Sequence, residues 1–189
     1  MPLNKPAMNH HATKVKIEKT ALSLISKYGT KSVTLDDITT PLAMSKKTFY
    51  QYFESKEELL TSIVGNSLAG FKLEIQALKL KYRGLDQFLW ISYHLLFWIR
   101  NTSSAVVFDL KKYHPELTEK YQLFRNKFIL NNLQELIREA KLRGVVRSDV
   151  NEAIFCQMQL TLIEGVVNDQ HHILSDQDQA NLFEHLVLN

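Results

Sequence analysis

Ile17, Ala21, Leu24 and Tyr28 fall at i, i+4, i+7 and i+11, an apolar stripe that predicts a helix from about Thr13 to Tyr28. Gly29 suits the stop behind it. In "VTLDDITTPLAM", Thr34 reads as the N-cap of a second, short helix. Asp37 three residues on completes a capping box, and Pro41 limits the helix. Ser45 caps a third helix running through Phe53, and Ser55 with Glu58 opens a long fourth helix to about Lys81. An almost unbroken apolar run, "LDQFLWISYHLLFWI", follows at 85–99. It predicts a central helix surrounded by protein. The stretch from Pro115 to Gly144 reads as one long helix with Leu117, Tyr121, Phe124 and Phe128 on its early stripe. Residues 151–170 and 177–188 predict two closing helices. Few segments alternate with period two, and Asn-Gly or Asp-Gly hairpin signals are absent. The expectation is an all-α chain of about nine helices: a polar flexible arm over 1–12, a small three-helix unit over 13–60, and a larger helical domain over 61–189.

Composition narrows the class. With 45% hydrophobic and 23% charged residues, the 189-residue chain is ordinary globular protein. No apolar run reaches the ~18 residues of a membrane span. The opening "MPLNKPAMNHHATKVK" has no apolar signal core, so a cytoplasmic place is expected. The lone Cys156 excludes an internal disulfide and reads as a buried small hydrophobe. Charge is uneven. Residues 1–60 hold nine lysines, no arginine and six acids, which carries the whole excess of +3. Residues 61–189 balance at fourteen basic and fourteen acidic side chains. A polyanionic partner for the first third fits this asymmetry.

"SKKTFYQYFESKEELL", residues 45–60, combines four rings with flanking lysines. Helical spacing separates them. Phe49 and Phe53 point together toward a core, while Lys46, Lys47, Tyr50 and Gln51 lie on other faces. Two short capped helices joined by a tight turn form a helix-turn-helix. Its outward half offers ammonium groups for phosphates, a phenol donor, and an amide able to pair with adenine.

At these residues "TLDDITTPLAMSKKTFYQYFESKEELL" resembles the DNA-binding signature of the tetracycline-repressor (TetR) family of bacterial regulators. The resemblance runs from the first helix to about Leu60. It implies that Thr34, Ser45, Lys46, Lys47, Thr48, Tyr50, Gln51, Tyr52 and Lys56 make the DNA surface. Tyr50, Tyr52 and Lys56 would meet phosphates, and Lys46, Lys47 and Gln51 would be placed for base edges. One departure stands out. Family members often carry Ala-Gly-Val in the turn, whereas this chain has Leu42-Ala43-Met44 after Pro41. A left-handed residue there costs ~1 kcal/mol without glycine.

The resemblance also assigns the C-terminal half. In the family, a helix like 85–99 lines a small-molecule cavity, which makes Trp90, Tyr93, His94 and Phe97 candidate ligand contacts, with Phe124 and Phe128 beside them. Plain aromatic core is the alternative for each. The family's last two helices pair with their copies as a four-helix bundle. The candidates for that interface are Ile154, Met158, Thr161, Leu162 and Gly165, with Leu182, Phe183, Leu186 and Val187.

Catalytic and metal signals are missing: no H-E-x-x-H, phosphate-binding glycine loop or serine-hydrolase elbow occurs, and the seven histidines have no zinc spacing. No catalytic residue, metal or cofactor is expected. The sequence therefore reads as a ligand-responsive regulator, a repressor that binds a partly palindromic double-stranded DNA operator as a homodimer. A small hydrophobic or aromatic effector, not identified by the sequence, would release it. The alternatives are a ligand-independent co-regulator of the same fold and a helical small-molecule carrier.

Overall fold

The computed structural model describes residues 5–168, and every regular element among them is helical. The elements are α1 (Lys5–Tyr28), α2 (Leu35–Thr39), α3 (Lys46–Phe49), α4 (Lys56–Lys81), α5 (Gly84–Arg100), α6 (Ser104–Tyr113), α7 (Pro115–Phe124), a π-helical segment (Arg125–Leu130), α8 (Asn131–Leu142) and α9 (Glu152–Asn168). None of the described helices is long and apolar enough to cross a membrane.

The chain forms two units. Among the described residues, one comprises 5–70 and 103–118, the other 71–102 and 119–168. The first is built around Ile17, Ala21, Ile25, Ile38, Phe49, Phe53, Leu59, Leu60 and Ile63, all buried, with Leu117 joining them. Full burial of each of the Ile, Leu and Phe side chains stabilises the unit by ~1.5–3 kcal/mol. The second is built on Phe71 and Ile75 of α4, Ile91, Leu95 and Ile99 of α5, Leu133, Leu136 and Ile137 of α8, and Cys156 and Leu160 of α9. Burial pushes the Cys156 thiol up to about 12, so it behaves there as a small apolar group.

Several boundaries differ from the sequence expectation, each for a local reason. The first helix begins at Lys5, so residues 5–12 of the expected flexible arm are helical. Pro6 is tolerated in a first turn, and no helix breaker lies between it and Tyr28. Ile25 rather than Tyr28 closes the buried face; the Tyr28 ring is exposed, with the Lys27 ammonium 5.0 Å from its centroid. The third helix ends at Phe49, and tight turns carry the chain on, with Gln51 N–H bonded to the Thr48 carbonyl. Among the described residues, α6, which the sequence pattern did not reveal, groups with the N-terminal residues.

The long helix from Pro115 changes pitch midway. Its stripe of Leu117, Tyr121, Phe124 and Phe128 would run on to Asn131 and Asn132, two polar residues. The π turn takes up one extra residue. It thereby rotates Ile129, Leu133, Leu136, Ile137 and Ala140 into the core instead, with Arg125 buried beside Ile129 in the same segment.

Candidate nucleic-acid interface

Local side-chain chemistry sets the helix-turn-helix. The Thr34 hydroxyl accepts the Asp37 N–H at 3.3 Å, and the Asp37 carboxylate accepts the Thr34 N–H at 2.7 Å, a reciprocal capping box for α2. The Thr34 hydroxyl and backbone N–H hold the Asp37 carboxyl below the usual carboxylate range. The turn follows, with the Met44 N–H bonded to the Thr39 carbonyl at 3.1 Å. Ala43 takes φ 49, the left-handed conformation that glycine would adopt without strain. The Ser45 hydroxyl then accepts the Thr48 N–H at 3.0 Å and starts α3. At the far end Ser55 caps α4 through the Glu58 N–H at 3.0 Å. Glu58 reaches back to the Glu54 N–H at 2.5 Å, one residue before the expected partner.

These caps aim α3 as the sequence pattern requires. Phe49 and Phe53 are buried with ring centroids 5.7 Å apart. Lys46, Lys47, Tyr50 and Gln51 are exposed on the outer side, and Thr48 and Tyr52 are half-buried at its margin. Lys46 also reaches back to Asp36 of α2 at 2.9 Å, a surface pair that links the two helices. Such a face can hold phosphates with ammonium and phenol groups while presenting an amide to base edges.

Lys56 is placed differently from the rest of the predicted DNA set. Its ammonium points inward and donates to the Thr30 carbonyl at 2.6 Å and to the Val33 carbonyl. Burial pushes its pKa down. Here Lys56 ties the start of α4 to the α1–α2 loop.

A neighbouring polar cluster was missed by sequence reasoning. Asp109 of α6, buried, accepts the Lys31 N–H at 2.9 Å and the Thr30 hydroxyl at 3.2 Å. The Thr30 hydroxyl also lies 3.3 Å from His114 Nε2. Gly29 takes φ +81 and a Cβ there would lie 2.7 Å from the Asp109 carboxylate, so both conformation and space call for glycine. The available signal was a lone acid inside the apolar run "AVVFDL".

The candidate ligand residues divide into two groups. His94, Phe124 and Phe128 join a ring cluster with Phe71, Trp98 and Tyr121. Phe71 lies 5.7 Å from His94 and 5.0 Å from Trp98, and Phe124 stacks on Phe128 at 5.1 Å. His94 also hydrogen-bonds Glu74 at 2.5 Å. Trp90, Tyr93 and Phe97 instead lie exposed, with Tyr82 stacked on Trp90 at 5.1 Å. The sequence showed α5 to be apolar nearly all round but not which sides are covered.

Of the candidate interface residues, Ile154, Met158 and Leu162 form an exposed apolar stripe along α9, with Thr161 and Gly165 also exposed. Cys156 and Leu160 occupy the opposite, buried face. Leu182, Phe183, Leu186 and Val187 lie outside the described residues.

Comparison with known proteins places this arrangement. Residues 17–63 match the family model for bacterial regulatory proteins of the tetR family. No curated protein matches the chain. The fold is similar to that of a putative transcriptional regulator from Saccharomonospora viridis in complex with choline, with TM-score 0.77 and 18% identity over 95% of this chain and 99% of that one. It is similar to a TetR transcriptional regulator from Chloroflexus aurantiacus, with TM-score 0.77 and 16% identity over 96% and 98%. It also resembles AibR in complex with isovaleryl coenzyme A and operator DNA, with TM-score 0.67 and 18% identity over 92% and 97%. The capped α2–turn–α3 unit lies within residues 17–63, the segment that matches the family model for bacterial regulatory proteins of the tetR family.

Proposed function

We propose that the protein is a cytoplasmic, homodimeric transcriptional repressor that binds a partly palindromic operator through α3 and is released by a small hydrophobic or aromatic effector. The observation that carries this reading is the pair of capped helices presenting Lys46, Lys47, Tyr50 and Gln51 outward over buried Phe49 and Phe53. Thr34, Ser45 and Thr48 hold that unit, and Tyr52 flanks it. DNA binding belongs to the N-terminal residues through 60, and effector binding and dimerisation to the rest of the chain. Support for the two activities comes from the similar folds crystallised with operator DNA and isovaleryl coenzyme A, and with choline.

A helix-turn-helix this small gains affinity from a second half-site, and the exposed α9 stripe suits pairing with a second copy. Met158→Asp should then yield monomers in sedimentation and sharply weakened operator binding; a persistent dimer would move the interface elsewhere. The effector is assigned to the Phe71, His94, Trp98, Phe124 and Phe128 cluster, with the Glu74–His94 pair as its polar end. An effector shifts the protein only by binding its DNA-free arrangement more tightly than its DNA-bound one. The mutual ring contacts in that cluster also favour a second reading, a ligand-independent DNA-binding co-regulator. Operator binding that no small hydrophobic compound weakens would support it.

The test of the DNA reading is selection from a pool of random duplexes. Recovery of two inverted half-sites spaced by about one helical turn supports it. Failure to enrich any duplex refutes it.

A further inference from the structure

We infer that Asp36, which the resemblance does not place in the DNA set, is a positioning residue for base recognition. It aims the Lys46 ammonium at a base edge and withholds it from general phosphate binding. This rests on the DNA reading above and names what sets specificity on that face.

The two lysines that open α3 differ in their surroundings. Lys46 Nζ lies 2.9 Å from Asp36 Oδ2, whereas Lys47 meets no carboxylate among the described residues. Both side chains of the pair are exposed, at 53% and 68%, so it adds little to stability. Capping does not explain Asp36 either. Asp37 already closes the box on Thr34, accepting its N–H and its hydroxyl at 2.7 Å each. An acid in the first turn of α2 also suits the helix dipole. Asp37 meets that need too, and the dipole does not call for a carboxylate that reaches a lysine ten residues on, at the start of the next helix.

A carboxylate on a face that meets a polyanion repels phosphate and lowers affinity for every duplex. Its compensating effect is direction. Residues 1–60 contain no arginine, so the forked donor that pairs bidentately with guanine is missing. Lysine substitutes only as a point charge on a flexible stem. Asp36 changes this in two ways. It accepts from the Lys46 ammonium and fixes the stem, which leaves the remaining N–H groups to donate to guanine N7 or O6. It also offsets the charge that would otherwise release a counterion from the DNA backbone. The pair thus presents an oriented donor with no net charge, on the same exposed face as the Gln51 amide.

The experiment uses the full chain, the duplex recovered by selection and an unrelated duplex, with binding followed by fluorescence anisotropy across a potassium chloride series. Asp36→Asn keeps the shape and removes the charge. It should tighten binding to the unrelated duplex and steepen its plot of log K against log salt by about one unit. The ratio of selected to unrelated affinity should fall about tenfold, the scale of one good base contact. Asp36→Glu should preserve that ratio. In a Lys46→Met background, Asp36→Asn should leave the ratio unchanged, because Asp36 acts through Lys46. Unchanged affinities in Asp36→Asn, or both duplexes tightened by one factor, overturn the inference while leaving the DNA reading intact. A Lys46→Met slope flatter by about one unit also overturns it, since Lys46 would then be a phosphate contact. If Asp36→Asn does not fold, as judged by circular dichroism, Lys46→Met decides alone. A ratio about tenfold lower at the wild-type slope supports the pair, and an unchanged ratio overturns it. A wild-type protein that binds no duplex at all would instead refute the DNA reading.

Discussion

Removing the Asp109 carboxylate should destabilise the N-terminal unit far more than a typical polar substitution. Asp109 is buried and accepts from the Lys31 N–H at 2.9 Å and the Thr30 hydroxyl at 3.2 Å. Hydrogen bonds to a charged acceptor contribute ~1.5–3 kcal/mol each, and an unsatisfied buried donor costs ~1–3 kcal/mol. The burial cost of the carboxylate itself offsets part of this. The net expectation for Asp109→Ala is a loss of about 2–4 kcal/mol. Asp109→Asn keeps an acceptor oxygen without the charge and should lose roughly half as much. Thr30→Val removes only the hydroxyl and should cost about 1 kcal/mol. The pair Thr30→Val and Asp109→Ala should be non-additive by a similar amount, because the two side chains share a bond. Both tryptophans, Trp90 and Trp98, lie in the other unit, so fluorescence would not report on this one. Urea unfolding should be followed by circular dichroism, with hydrogen exchange at the Lys31 amide as the local reporter. Asp109→Ala within about 0.5 kcal/mol of wild type and unchanged exchange at Lys31 would refute the reasoning.

Ala43→Gly should stabilise the turn by roughly 0.5–1 kcal/mol, the ~1–2 kcal/mol of left-handed strain less the entropy glycine loses on folding; a lower melting temperature would contradict this. Asp37 has a folded-state pKa below its unfolded value, so its contribution is present above the unfolded pKa of ~3.9 and is lost as pH falls through the folded one. Asp37→Asn should therefore show a shallower loss of stability below about pH 4 than wild type, and identical acid profiles would remove the capping argument. Phe97 is 58% exposed and Phe71 is 2% exposed. Phe97→Ala should cost under about 1 kcal/mol, against ~3–5 kcal/mol for Phe71→Ala; equal losses in urea titrations would show that the Phe97 ring is covered in solution.

What was legible in the sequence was chiefly what depends on near neighbours. Thr34 with Asp37 and Ser45 with Thr48 are bonds across three residues, and Phe49 and Phe53 are one turn apart, so pattern and spacing disclose them. The missing glycine in the turn was readable by resemblance, but the turn's geometry was not: that Ala43 takes the positive φ is a finding of the structure. Features that depend on distant segments were hidden. Asp109 meets Lys31 across 78 positions, and Lys56 meets the Thr30 carbonyl across 26. Nothing in the spacing "SKEELL" distinguishes a lysine aimed at phosphate from one aimed at backbone carbonyls. The π turn was not legible: the stretch from Pro115 to Gly144 reads as one continuous helix, although Asn131 and Asn132 break the stripe that Leu117, Tyr121, Phe124 and Phe128 begin. On α5 the side chains were legible as rings, but their separation into the Phe71 cluster and the exposed Trp90, Tyr93 and Phe97 depends on which helices pack against each side.

The claim that α3 reads DNA is tested most directly by selecting from the same random duplex pool with wild type and Gln51→Ala in parallel. Gln51 is exposed beside Tyr50, and its amide is the side chain on this face suited to a bidentate pair with a base edge. The account predicts inverted half-sites for both proteins, with preference relaxed at one position per half-site in Gln51→Ala and about 1–3 kcal/mol of discrimination lost there. Identical selected sites for the two proteins would contradict it.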